Sequence, residues 1–206
     1  MMRLILASNN KAKLREFKRL TAGMDVELLS QSEAGLELDV DETGATFEEN
    51  AYLKAKAVTD LSGCAAVADD SGLVVDALDG APGLYSARYG PGHDATDSDR
   101  YNYLLAQLGD AKDRSARFVC CVCCTLPDGT VIRSRGESEG EILYGPRGEG
   151  GFGYDPIFRS LGSDKSNAEL TAEEKDRISH RGKAAREFIE KFREYMDKEY
   201  LNGIDK

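Results

Sequence analysis

No stretch of this 206-residue chain approaches the roughly 18 consecutive apolar residues of a membrane-spanning helix. Membrane-spanning helices are therefore excluded. Met1-Met2-Arg3 runs directly into the strand-like Leu4-Ile5-Leu6-Ala7, so no export leader is expected and the expected address is the cytoplasm. Internal repeats, low-complexity tracts and Pro/Ser-rich linkers are also missing, which leaves one domain over residues 1–206 as the expectation. The G-x-x-x-x-G-K-[ST] loop is absent, and with it P-loop chemistry.

Positive charge is in deficit. Lys and Arg number 27 against 37 Asp and Glu, a net charge of −10, which argues against nonspecific binding to nucleic acid or an anionic membrane. A free nucleotide escapes that exclusion, because it needs only a local basic pocket. Histidine is scarce, with His93 and His180 alone. Cysteine is not: four of the five lie in Cys120-Cys121-Val122-Cys123-Cys124. Within a strand, neighbouring side chains point to opposite faces, so these thiols cannot all converge on one ion, and no histidine stands nearby. They read as reduced cysteines of a buried strand in a reducing compartment.

What is present alternates between helical and strand periodicity, as an α/β fold on a mixed sheet requires. Leu4–Ala7 predicts a strand, Lys11–Leu20 a helix with Leu14, Phe17 and Leu20 on one face, and Val26–Leu29 a second strand. Thr46-Phe47-Glu48-Glu49 has capping-box form and predicts a helix to about Leu61. Ala65–Ala68 and Leu73–Ala77 predict a hairpin around Asp69-Asp70-Ser71-Gly72. A loop at Asp79–Gly83 and a helix over Thr96–Leu108 follow, then two strands, Arg117–Leu126 and Thr130–Ser134, about the turn Pro127-Asp128-Gly129. Thr171–Glu174 repeats the capping box, and His180 to about Tyr200 predicts a final helix with Phe188, Ile189, Phe192 and Tyr195 inward.

Four segments carry candidate chemistry. Ser8-Asn9-Asn10-Lys11-Ala12-Lys13 stands at a strand-to-helix junction, where free N–H groups, the helix dipole and lysines suit phosphate oxygens. The same residues also describe an ordinary capped helix. Asp41, Glu42, Glu48, Glu49, Asp69 and Asp70 form an acid group from which two or three members would suffice for Mg²⁺, one of them activating water. Among so many acids a solvated surface is the competing reading. In the glycine-rich run 148–153, glycines allow close backbone approach and Phe152 offers a stacking face. Asp155 just beyond offers an acceptor for a ring N–H. Lys175 with Ser179-His180-Arg181 would gather positive charge for a phosphate or a purine carbonyl.

Together these segments resemble the inosine triphosphate pyrophosphatase family, the Ham1-like nucleotide pyrophosphatases. The resemblance rests on LASNNKAKLREF at 6–17, ETGATFEENAYLKAKAV at 42–58, VADDSGLVVDALDGAPGLYSARYG at 67–90, GGFGYDPIF at 150–158 and AELTAEEKDRISHRGKA at 168–184, in that order. It implies a two-lobed α/β fold around a long mixed sheet with flanking helices and a cleft between lobes, usually a homodimer. It also implies hydrolysis of ITP, dITP and XTP to the monophosphate and pyrophosphate with Mg²⁺. Under that resemblance Ser8, Asn9, Asn10, Lys11, Ala12 and Lys13 would bind the triphosphate. Glu42 and Asp70 would hold the metal, with Asp70 activating water, and Ser71 would touch substrate. Phe152, Gly153, Tyr154 and Asp155 would form the base pocket, and Lys175, His180 and Arg181 would complete it. His180 and Arg181 would read the 6-keto group, which adenine lacks.

The Maf-like pyrophosphatases share a Leu-Ala-Ser opening but continue Ser-Pro-Arg-Arg, where this chain continues Asn9-Asn10-Lys11-Ala12-Lys13. A silent nucleotide-binding module is the other rival, against which the retained Glu42, Asp69, Asp70 and Lys175 count.

Overall fold

A computed structural model of the chain describes residues 2–92 and 94–204, with side chains up to residue 198. In chain order the elements are β1 (Met2–Leu6), α1 (Lys11–Leu20), β2 (Val26–Ser30), α2 (Phe47–Ser62), β3 (Ala65–Val75), α3 (Asp97–Leu108), β4 (Ser115–Thr125), β5 (Val131–Ile142), β6 (Phe158–Ser160), α4 (Ala172–Ile178) and α5 (His180–Ile204). The strands form one six-stranded sheet in the order β2-β1-β3-β4-β5-β6. β1 runs parallel to both β2 and β3, with Leu4 opposite Leu28 and Ala65, while β6 is antiparallel to β5. This is the mixed α/β fold that the sequence predicts.

Helix starts follow from short polar side chains that satisfy the first free N–H groups. The Asn10 side chain accepts from the N–H groups of Ala12 and Lys13 and opens α1. Thr46 accepts from Glu49 at the start of α2, but the Glu49 carboxylate takes the N–H of Ala45 rather than that of Thr46. At α3 and α4 the capping boxes are complete, Thr96 with Asp99 and Thr171 with Glu174.

By internal contacts the chain divides into two compact units. The first comprises Met1–Asp70, Cys121–Arg135 and Ala184–Lys206, and the second Ser71–Cys120 and Gly136–Lys183. In the first, Ala55 and Val58 of α2 pack with Ile5, Ala7, Ala66 and Ala68 of the β1 and β3 segments. The small side chains bring helix and sheet close together. In the second, Leu73, Val75, Leu104, Leu108, Phe118, Ile142, Tyr154, Ile157 and Phe158 form one cluster. Each fully buried Leu, Ile or Phe there contributes about 1.5–3 kcal/mol. All four clustered cysteines are buried in β4 and unbridged. Burial pushes the Cys123 thiol up to about 11 and the Cys124 thiol higher still, so both stay protonated at neutral pH. On α5, Phe188, Ile189 and Phe192 are buried while Tyr195 is half-buried.

One expected element is wrong. Residues 65–77 do not form a hairpin turning at Asp69-Asp70-Ser71-Gly72; β3 runs unbroken from Ala65 to Val75. Both aspartates are buried within it, and lysine and amide partners compensate them, so they need no solvent-exposed turn. The chain reverses later. Asp79 takes the left-handed conformation at φ 51°, the Val75 N–H donates to the Ala81 carbonyl, and Val74 bridges to Pro82.

Candidate active site

The acid group resolves into a small set within the first unit. From β3, Asp69 turns a carboxylate oxygen to within 3.0 Å of Lys13 Nζ, which stands in the first turn of α1. The next residue, Asp70, meets α2. Its Oδ1 lies 3.3 Å from Lys54 Nζ, and its Oδ2 accepts from Asn50 Nδ2 at 3.1 Å. Lys54 also donates to Glu42 Oε1 at 2.6 Å, so carboxylates from two separate segments share one ammonium.

Electrostatics follow from that crowding. Burial is the largest influence on Asp70 and raises its pKa. The Lys54 charge pulls it down and the Glu42 charge pushes it up, with a net rise above the ordinary 3.8. For Lys54, burial alone would favour the neutral amine, but the charges of Asp70, Asp69 and Glu42 outweigh it and hold the group above 10.5. A carboxyl that holds its proton more firmly than usual, beside a permanent cation, suits proton uptake from water.

The pair also fits a hard cation. Glu42 Oε1 and Asp70 Oδ1 both reach Lys54 Nζ, and Mg²⁺ is commonly held by one or two carboxylates with water and phosphate completing its shell. Among the described residues no group of three or more His, Cys, Asp or Glu gathers in this way. Any metal here would rest on the two carboxylates and on its ligands from substrate.

The second unit holds the aromatic and cationic candidates. Asp155 Oδ2 accepts from Lys175 Nζ at 2.7 Å and from the Phe152 N–H at 2.8 Å, while Asn167 Nδ2 reaches Oδ1 at 3.4 Å. Those bonds hold the turn that presents Phe152. Gly151 makes the turn possible: its φ is +71°, and a Cβ there would lie 2.1 Å from Asp155 Oδ2. Lys175 Nζ lies 5.0 Å from the centre of the Phe152 ring and the Arg181 guanidinium 5.5 Å, two cations on one aromatic. Arg181 also donates to Ser71 Oγ at 2.9 Å. His180 is buried and stacks on Phe118, ring centres 4.6 Å apart. The Gly153 N–H donates to Asp97 and the Tyr154 hydroxyl to the Ser86 carbonyl, which puts Tyr154 in the core.

The sequence-predicted residues that converge thus fall into two constellations: Lys13, Glu42, Asp69 and Asp70 in the first unit, and Ser71, Phe152, Asp155, Lys175 and Arg181 in the second. Several do not converge with them. Lys11 is exposed, Asn9 meets Gln31 at 3.4 Å, and Ser8 Oγ accepts from the N–H of Asn10. Glu48 and Glu49, weighed with the acids, are engaged by Arg135 and by the Ala45 N–H. The sequence reading missed Asn50 and Lys54. Their signal is there: polar residues four apart on a helix whose neighbours Ala51 and Ala55 are buried, hence one face. A hollow of about 610 Å³ elsewhere in the second unit, lined by residues such as Arg114, Glu141, Tyr144 and Arg159, holds none of the candidates.

Known proteins share this arrangement of sequence and fold. The profile of the Ham1 family matches residues 4–191. A dITP/XTP pyrophosphatase of Gloeobacter violaceus is 50% identical over 190 residues, covering 92% of this chain and 94% of that protein. One of Streptomyces coelicolor is 46% identical over 200 residues, covering 95% and 100%. Among solved structures, a HAM1 protein from Coxiella burnetii superposes with a TM-score of 0.86 at 40% identity, covering 94% of this chain and all of that one. The Ham1 protein of Staphylococcus aureus gives 0.82 at 42% identity, covering 96% and 99%.

Proposed function

The chain belongs to the Ham1 family, and from that membership we propose that it is a nucleoside triphosphate pyrophosphohydrolase. It converts the deaminated purine nucleotides ITP, dITP and XTP to monophosphate and pyrophosphate. The observation that carries this reading is the meeting of Glu42, Lys54 and Asp70, an acid with raised proton affinity beside a second carboxylate and a cation. A protein that only sequestered nucleotides would have no use for it.

In this reading Glu42 and Asp70 would hold Mg²⁺, which would supply positive charge against the phosphates. The remaining chemistry belongs to the chain's own groups. Lys13 and the N-terminal turn of α1, opened by Asn10, take phosphate oxygens, with Ser8, Asn9, Lys11 and Ala12 flanking them. Asp70 takes the proton of the water that attacks the α-phosphorus. Asn50 holds Oδ2 and Lys54 holds Oδ1, which fixes the orientation of that carboxylate. Lys13 and Lys54 meet the charge of the departing pyrophosphate.

The base stacks on Phe152, beside Gly153 and Ser71, while Tyr154, next in the chain, anchors the segment in the core. Asp155 and Lys175 keep that ring in place through the turn they hold. His180 and Arg181 donate to the 6-keto oxygen of hypoxanthine or xanthine, and the 6-amino group of adenine would leave those donors unmatched. We take the enzyme to work in the cytoplasm as a homodimer, with a mass in light scattering of twice that of one chain. Among the described residues no helix is long and apolar enough to cross a membrane.

One assay tests the reading: product analysis for ITP, XTP, dITP, GTP and ATP, with Mg²⁺ and without. Pyrophosphate and monophosphate from the first three, dependent on Mg²⁺, are the expected products. Orthophosphate with a nucleoside diphosphate, or equal turnover of ATP, would overturn it.

A further inference from the structure

Asn50 is 2% exposed, and both ends of its carboxamide are engaged. The Gly44 N–H donates to Asn50 Oδ1 at 2.8 Å. An N–H faces only an acceptor, so the orientation of the amide is set and its Nδ2 points at Asp70 Oδ2, 3.1 Å away. That donor fixes Oδ2 on the α2 side, while Oδ1 faces Lys54. One turn later on the same helix face, Lys54 reaches that other oxygen, so α2 delivers donors to both sides of one carboxylate and blocks its rotation.

Capping of α2 falls to Thr46, whose side chain accepts from the Glu49 N–H, so it does not explain the burial of the Asn50 side chain. Position 44 is shaped for the contact: a Cβ there would lie 2.7 Å from both Asn50 Oδ1 and Glu49 Cβ. Gly44 also stands two residues from Glu42, so the single amide links the loop bearing one carboxylate to the strand bearing the other.

We propose that Asn50, aligned by the Gly44 N–H, is the positioning residue that holds the Asp70 carboxylate in its working orientation. This rests on the pyrophosphohydrolase reading above and deepens it. Asn50 itself need not touch substrate. It acts by fixing the carboxylate's rotation relative to Glu42 and Lys54.

Asn50→Asp isolates the role, because it keeps an acceptor for Gly44 and replaces the donor to Asp70 with an oxygen. Misplacing a reacting group by about 1 Å costs about 100-fold, so kcat for ITP should fall by about that factor with KM nearly unchanged and the circular dichroism spectrum retained. Gly44→Ala should give the same split, and the double variant should be no slower than the slower single one. If the wild-type chain releases no pyrophosphate from ITP, the functional reading itself has failed. If wild type is active but both variants keep its kcat, raise KM in step with kcat, or lose their folded structure, Asn50 is a structural strut and the proposal is wrong.

Discussion

The two constellations handle charge differently. In the first unit Lys54 divides itself between Glu42 and Asp70, with side chains 12%, 29% and 11% exposed. In the second, Lys175 and Asp155 are 7% and 3% exposed, and Asp155 also holds the Phe152 N–H. A shared lysine can give up one acid and keep the other, so an incoming phosphate or cation can be exchanged into the set without stranding a buried charge. The enclosed pair has no such freedom, and its energy is committed to the shape of a turn. On the proposed reading, chemistry falls to charges that can change partners and recognition to charges that cannot.

The largest effect that would sharpen this contrast is the loss of the base. Asp70→Asn should lower kcat about 10²–10⁴-fold, the range of a general base, while nucleotide affinity measured by calorimetry changes little. The wild-type rate should carry a matching acid limb. Asp70 must be ionised to accept a proton, and because its pKa is raised, ionisation is lost at a higher pH than the ordinary 3.8 as the solution is acidified. That limb should vanish from the residual activity of Asp70→Asn.

Lys175→Met attacks the closed pair and should appear in stability. Removing one member of a buried ion pair costs about 3–5 kcal/mol, to be read from the urea midpoint; a variant as stable as wild type would break the contrast. Phe152→Ala should cost about 1–3 kcal/mol of base stacking, seen as a higher KM for ITP with kcat nearly kept. The smallest effect belongs to the exposed Lys11, whose change to alanine should shift stability by less than about 0.5 kcal/mol. In a KM series Lys11→Ala should likewise stay well below Lys13→Ala, whose ammonium is folded onto Asp69.

Legibility differed between the elements for the same reason. α1 begins and ends where periodicity and Asn10 place it, and of the two capping boxes read from the sequence the one at Thr171 forms completely while that at Thr46 is half made. The strand at Cys120–Cys124 is buried, as its composition requires. By contrast Asp69-Asp70-Ser71-Gly72 carries a local turn signal that the fold overrides, because partners elsewhere compensate the aspartates. Among the site residues, Asp70 and Phe152 could be singled out, but Lys54 could not be told from other helix lysines until its two acids were located.

The sequence alone determined the alternation of elements, the helix starts and the family, since each depends on residues within a few positions of one another or on motifs in linear order. Only the tertiary structure decided that Asp70 lies mid-strand, and that Asn50 and Lys54, 20 and 16 residues away, hold its two oxygens. A buried charge is tolerated only where donors reach it, and which donors reach it is settled by the packing of α2 against β3, which no local pattern encodes.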